Sequence, residues 1–320
     1  MDACKICSNA TNNKSLYIKE MMYGTGETFE YLQCTSCKCV QLVDIPDNMQ
    51  KYYPENYSSF RVQGKKSNSL LRLSRKWSAA ACTGTGKNPI GSFLYKVFGA
   101  GFSEKFAGMK IPFHSKILDV GTGNGQNLLS LQRYGFTQLS GIDPFIKDNI
   151  EYPSGITIKK ADIYSIEEKY DLVMLNHVLE HMDEQERVVS KLYDLVEQDG
   201  LVLIRIPVND CYSRRKYGVH WVAWDAPRHL YIHSVNSLIK LFSDKGFELV
   251  SLSFDSSEYQ FWASEQYQRG ISLHDERSYA LKKENGIFSK KQIRDFRKKA
   301  RELNLINDGN AAAFYFKKAE

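Results

Sequence analysis

The stretch KILDVGTGNGQNLLSLQRYGF, residues 116–136, decides the fold. Lys116 to Val120 reads as a buried strand, Gly121, Gly123 and Gly125 as a turn, and the residues after Gly125 as an amphipathic helix that ends near Gly135. A second strand, QLSGID, closes on Asp143. Glycines after the first strand let the backbone approach a ligand, and an acid at the end of the second can accept both hydrogen bonds of a ribose diol. The pair predicts a site for a nucleoside-containing cofactor. A dinucleotide fingerprint, Gly-x-Gly-x-x-Gly, would need glycine at position 126, where Gln126 stands.

The same alternation continues along the chain. GITIKKADI gives a third strand followed by Asp162 and Ile163, and YDLVMLN a fourth that ends on Asn176, just before His177. A helix over 184–196 stops before QDG, LVLIRIPV is the fifth strand, and a helix over 234–245 stops before Gly246. FELVSLSF and AAAFYFKK complete the set. Strands alternating with helices predict an α/β, doubly wound, mostly parallel seven-stranded sheet over residues 112–320.

The segment ahead of this sheet is marked by cysteine. CKIC, with Cys4 and Cys7, is answered by CTSC, with Cys34 and Cys37, and two such knuckles complete a tetrahedral sulfur site suited to structural Zn²⁺. The residues between them read as two short strands around GTGE, a small zinc ribbon. Cys39 could substitute for a ligand, though a Cys-x-Cys spacing from Cys37 is less usual; Cys82 and Cys211 stand apart. The tyrosine-rich segment YYPENYSSF comes next, with Tyr52, Tyr53 and Tyr57 as pocket or packing residues. The expected division is therefore residues 1–60 for ribbon and tyrosine segment, 61–111 for a basic helical linker, and 112–320 for the cofactor-binding domain.

Charge is uneven. Residues 56–103 hold eight Lys or Arg and no acid, and residues 282–301 hold nine basic and two acidic residues, in a chain of 320 residues whose net charge is only +6. Two local basic faces on an acidic body fit a small anionic substrate at least as well as nucleic acid, and the run 61–76 lacks the interleaved aromatics of a stacking platform. Solvated helix faces explain them too, since Ile293, Phe296, Ala300 and Leu303 recur at helical spacing. No apolar run nears the roughly 18 residues of a membrane helix and the first residues lack a signal-peptide profile, so the expectation is a soluble, cytoplasmic protein.

The pattern Asp-x-Gly-x-Gly-x-Gly over residues 119–125 resembles the first motif of class I S-adenosylmethionine-dependent methyltransferases. That resemblance implies a Rossmann-like sheet with S-adenosylmethionine as cofactor. Asp119 would order its amino end, Gly121, Gly123 and Gly125 make room for the methionine moiety, and Asp143 would hold the ribose. Asp162 and Ile163 would meet the adenine, while Asn176 and His177 line the site. HVLEH, residues 177–181, also matches the His-x-x-Glu-His zinc-protease pattern, but similar methyltransferases carry nearly the same run beside the cofactor. His181 is then a structural partner.

After the fifth strand comes GVHWVAWDAPRHLYIHS, residues 218–234, where a methyl acceptor would lie above the sheet's carboxyl edge. Methyl transfer often needs a proton removed from the nucleophile, and histidine is the natural base. The stretch resembles the loop of sugar C-methyltransferases and of polysaccharide-pathway methyltransferases, which share a four-cysteine zinc module and a tyrosine-rich segment. In the C-methyltransferases an acid precedes the histidine base; here the pair is Arg228 and His229, so the histidine stays and the acid does not. Arg228 is read instead as a grip for phosphate or carboxylate, His233 as structural, and Trp221, Trp224 and Trp262 as ring walls or core. The expected activity is methyl transfer to a small anionic acceptor such as a nucleotide-linked sugar or glycan precursor. The other reading, from the ribbon and basic faces, is a methyltransferase or binding protein acting on RNA.

Overall fold

The computed structural model describes residues 3–53, 69–86, 89–98, 105–107, 109–282 and 286–320; Tyr57 and much of the basic linker lie outside these. In chain order the elements are β1 (Lys14–Lys19), β2 (Thr28–Gln33), β3 (Val40–Leu42), α1 (Ser69–Thr83), α2 (Pro89–Phe98), β4 (Lys116–Val120), α3 (Gln126–Arg133), β5 (Gln138–Ile142), β6 (Ile150–Glu151) and β7 (Thr157–Lys159). They continue with β8 (Tyr170–Asn176), α4 (Gln185–Leu195), β9 (Val196–Pro207), α5 (Tyr212–Tyr217), β10 (Tyr231–Ile232), α6 (Val235–Ser243), β11 (Phe247–Phe254), α7 (Tyr259–Gln268), α8 (Lys290–Leu305) and β12 (Ala311–Lys318). Among the described residues no helix is long and apolar enough to cross a membrane.

Contacts divide the chain into two compact units, one of Met1–Pro54, His177–Ser190 and Ile204–Glu320, the other of Glu55–Asn176 and Lys191–Leu203. In the second, central unit the strand order is β9-β8-β4-β5-β7-β6. β8, β4, β5 and β7 pair in parallel, and the two-residue β6 adds to β7 antiparallel. Parallel strands covered on both faces read as unbroken apolar runs. Accordingly Ile117, Leu118 and Val120 in β4 and all of Leu172 to Leu175 in β8 are buried. Helix α3 turns Leu128 and Leu131 inward.

The first unit holds a four-stranded sheet of order β1-β2-β3-β10. β1 and β2 are the expected hairpin, in register from Lys14 opposite Gln33 to Lys19 opposite Thr28. β3 and β10 were not foreseen; β10 comes from the loop of residues 218–234 and pairs with β3. The same unit contains the antiparallel pair β11 and β12, with a register shift between Leu249 and Ser251. In α8, Ile293, Ala300 and Leu303 are buried and a capping box at Ser289 and Gln292 starts the helix. Its basic residues therefore belong to the solvated face of an amphipathic helix.

The expected seven-stranded, mostly parallel sheet needs one correction. Within the central unit β6 pairs antiparallel with β7, and in the other unit β11 and β12 form an antiparallel pair. Short β6 carried too few residues to show a period. Contacts also place the ribbon in one unit with residues 177–190 and 204–320, a grouping that chain order conceals.

Gly125 opens α3 at φ +74°, and a Cβ there would stand 2.6 Å from Ile158 Cδ1. Gly125→Ala is expected to lower unfolding stability by about 1–2 kcal/mol, the cost of a left-handed L-residue. Adding Ile158→Val, which removes Cδ1, should relieve only the steric part. Urea titrations showing an unchanged midpoint for Gly125→Ala would contradict this account.

Candidate functional site

In the central unit the carboxyl ends of three parallel strands bring polar groups together. Asp119, near the end of β4, is 1% exposed. Its Oδ2 accepts a hydrogen bond from Thr122 Oγ1 at 2.7 Å, and its Oδ1 a long one from Asn176 Nδ2 at 3.5 Å. Burial raises its pKa to about 6, against the pull of Thr122, Asn176 and a third side-chain donor, Asn127. Asn176 Oδ1, at the end of β8, is buried and has no hydrogen-bond partner.

Asp143 lies just after β5 and is hydrogen-bonded differently. Its Oδ2 accepts from Gly123 N–H at 2.9 Å and its Oδ1 from Phe145 N–H at 2.8 Å. The first bond closes the glycine turn, in which Gly121, Gly123 and Gly125 all have positive φ. Asp119, the glycines, Asp143 and Asn176 thus form one hydrogen-bonded constellation. Asp162 and Ile163 form a separate turn, with Asp162 Oδ1 accepting from Ser165 N–H at 3.0 Å and Ile163 buried.

His177 and the loop of residues 218–234 belong to the other unit, and there the surprise is Arg228. Its side chain is fully buried. One amino group lies 3.0 Å from Glu20 Oε1 and 2.7 Å from Asp225 Oδ1, Nε also donates to Asp225, and the remaining amino group donates to the Tyr52 carbonyl at 3.2 Å. A guanidinium so engaged is a framework cation. Against the cost of burial, Asp225 and Glu20 hold its pKa above the usual value. Glu20, which sequence reasoning missed, also accepts backbone N–H groups from Met22, Tyr23 and Thr25, each at 2.9 Å.

His229 is nearly buried, at 8% exposure. Its Nδ1 lies 2.9 Å from the Ala223 carbonyl. A carbonyl only accepts, so Nδ1 carries the proton and Nε2 keeps the lone pair of a base. Asp225 Oδ2 stands 3.8 Å from that Nε2. The acid absent from position 228 is thus present four residues before the histidine, and both aspartate oxygens are used, one toward Arg228 and one toward His229.

His181 packs edge-on against His229, ring centroids 4.7 Å apart, and its Nδ1 lies 2.9 Å from the Arg228 carbonyl and 3.3 Å from Tyr53 Oη. Burial and the field of His229 lower its pKa, favouring the neutral ring. His177, with φ +55°, hydrogen-bonds Glu180 through Nδ1 and meets Arg205 through its other nitrogen. Residues 179–181 are a single 3₁₀ turn, so His177 and His181 do not form the helical pair of a zinc protease. Trp221 and Trp224 are buried in the core, and His233 is locked between Ser237 and Gln185.

The four ribbon cysteines converge. Sγ atoms of Cys4 and Cys37 are 3.6 Å apart, those of Cys7 and Cys34 3.5 Å, and all four lie within 4.8 Å of one another. Tetrahedral Zn–S bonds of about 2.3 Å put sulfurs about 3.8 Å apart, so the set fits that ion. The Cys37 hydrogen bond outweighs burial and lowers the Cys4 pKa to about 5. Cys39 is buried and outside the set.

Residues 94–252 match a family model described as a methyltransferase domain. This segment is a methyltransferase domain. It contains β4 through β8, the Asp119 and Asp143 constellation, and the loop with His229. Human EEF1A lysine methyltransferase 2 is 39% identical over 62 residues, 19% of this chain and 25% of that protein, so the match spans about a quarter of the relative's length. An S-adenosylmethionine-dependent methyltransferase from Archaeoglobus fulgidus has 21% identity, with 64% of this chain and 86% of that chain covered at a TM-score of 0.41. A cyclopropane synthase from Mycobacterium tuberculosis has 13% identity, with 64% and 78% covered at 0.42.

The buried Asp119 carries a pH signature. Its folded pKa of about 6 exceeds the ordinary 3.8, so the folded state keeps a proton that the unfolded chain has released. Its contribution therefore becomes unfavourable as pH rises from about 4 to above 6, by about 3 kcal/mol. Asp119→Asn should be more stable than the parent at pH 7.5 and lose that advantage at pH 4. Equal differences at both pH values, by urea unfolding, would show that the carboxylate is not strained.

Proposed function

We propose that the protein is an S-adenosylmethionine-dependent methyltransferase whose acceptor is a small anionic molecule, a nucleotide-linked sugar or glycan precursor. The observation that carries the cofactor reading is the juxtaposition of the buried Asp119 carboxylate with the unpartnered Asn176 Oδ1. Two acceptors without enough donors suit an ammonium group, and the amino end of the cofactor's methionine moiety supplies one. When bound, S-adenosylmethionine supplies an electrophilic methyl group on a sulfonium. Asp119 and Asn176 would hold its amino end, the turn of Gly121, Gly123 and Gly125 would admit its backbone-facing edge, and Asp143 its ribose, with Asp162 and Ile163 beside the adenine and His177 lining the site.

His229 is the proposed base. Its fixed tautomer leaves Nε2 to take a proton from the acceptor, and Asp225 stabilises the imidazolium that forms. Arg228 acts through Asp225 as a positioning residue, in place of the grip on the acceptor that its side chain alone suggests. The acceptor class rests on the resemblance of the His229 loop to the sugar methyltransferases and on the acid-free basic run of residues 56–103. The four cysteines hold a structural Zn²⁺, since four thiolates leave no open position for catalysis.

His229→Ala is expected to bind S-adenosylmethionine as the parent does but lose roughly 10² to 10⁴ in turnover. Full turnover would overturn the base. In heavy water, acceptor incubated with enzyme and no reactive cofactor should gain deuterium if carbon is methylated and none if oxygen or nitrogen is. The expected outcome is no exchange, since Arg228 and not an acid directly precedes His229 and Asp225 comes no nearer than 3.8 Å to its Nε2.

Purified protein should contain one zinc per chain, and Cys34→Ser should lose it and lower the unfolding temperature. Zinc-free parent protein with an unchanged melting transition would remove the metal from the ribbon.

A further inference from the structure

We infer that Glu180, His181 and His229 form a second divalent-cation site, separate from the four cysteines. Each residue offers one ligand atom within 4.8 Å of the other two. All three side chains come from one compact unit: Glu180 and His181 from the turn after β8, His229 from the loop before β10.

The hydrogen bonds already made are those of metal ligands. A ligating histidine almost always donates its other ring N–H to a carbonyl or carboxylate, which fixes the tautomer and aims the bare nitrogen. His181 Nδ1 does so to the Arg228 carbonyl and His229 Nδ1 to the Ala223 carbonyl, both at 2.9 Å. Neither Nε2 makes a hydrogen bond among the described residues; the nearest acid, Asp225 Oδ2, is 3.8 Å from that of His229.

Glu180 supplies the third donor. It is 1% exposed, Oε1 accepts from His177 Nδ1 at 3.2 Å, and buried Oε2 has no hydrogen-bond partner. An ionised oxygen with no donor inside a protein is expensive. A bound cation removes that cost.

Nearby cations do not repel the ion outright. Arg228 is neutralised by Glu20 and Asp225, and Arg205 by Asp255 at 2.6 Å. His177 takes no part, since its two nitrogens face Glu180 and Arg205. Two imidazole nitrogens and one carboxylate oxygen select a borderline first-row ion of the Zn²⁺ type over Mg²⁺ or Ca²⁺, and three protein ligands leave a position open. Ligand atoms around such an ion stand about 3.3 Å apart, so binding draws the three side chains together. One consequence rests on the methyl-transfer reading: an ion on His229 Nε2 occupies the lone pair that removes the acceptor's proton, so it inhibits turnover.

Cobalt tests the site. Full-length protein with its ribbon zinc in place is titrated with Co²⁺ at neutral pH, and bound metal is counted by mass spectrometry alongside visible absorption. One equivalent of cobalt beyond the ribbon zinc is expected, with affinity at least tenfold weaker in Glu180→Gln and in His181→Gln. Zinc content and circular dichroism identify a variant that fails to fold, and the second substitution keeps the test open. No further equivalent on the parent, affinities within twofold of the parent in both variants, or a thiolate charge-transfer band with zinc released would each overturn the site. Full turnover with cobalt bound at this site would leave the cation site standing and overturn His229 as the base.

Discussion

A guanidinium without exposed surface has to find its partners inside the protein, and the unit that contains the ribbon is organised around that demand. Arg228 meets Glu20, Asp225 and the Tyr52 carbonyl. Removing one partner of such a buried pair typically costs about 3–5 kcal/mol, because a charge is left uncompensated. Glu20 spends its remaining capacity on three backbone N–H groups that shape the turn after β1. A single charge network therefore joins the hairpin to the loop that carries His229.

Backbone pairing reinforces the same junction. Tyr231 and Ile232 extend the ribbon sheet opposite Gln41 and Val40, Leu42 N–H donates to the Leu230 carbonyl, and Tyr31 Oη donates to the carbonyl of His229 itself. Ser234, which caps α6, also donates to the Cys37 carbonyl. The ribbon is thus the scaffold on which the histidine loop is held. A metal bound by the cysteine knuckles would stabilise that loop as well.

In the central unit two carboxylates at neighbouring strand ends have opposite environments. Asp143 has a backbone N–H on each oxygen, whereas Asp119 has only side-chain donors, Thr122, Asn176 and Asn127, and almost no exposed surface. Asp143 builds the turn, and Asp119 is left wanting a cation. Such incompletely satisfied groups mark the places where a fold gives up stability for binding.

Local patterns were legible in the sequence. The glycines at 121, 123 and 125 and the acid at 143 announce a strand, turn and helix because only glycine adopts those φ values freely within a few residues. The cysteine knuckles and the face of α8 were readable for the same reason: each is written in adjacent residues. The methyltransferase domain emerged from their order. What the tertiary structure alone decided lies between residues far apart in the chain. Glu20 and Arg228 are 208 positions apart, and nothing in WDAPRHL says that its arginine faces inward and its aspartate divides itself between Arg228 and His229. Nor can a sequence tell which nitrogen of His181 or His229 holds the proton, since that depends on a carbonyl brought close by folding. Charge and periodicity are properties of a chain, but desolvation and hydrogen-bond satisfaction exist only once it is packed.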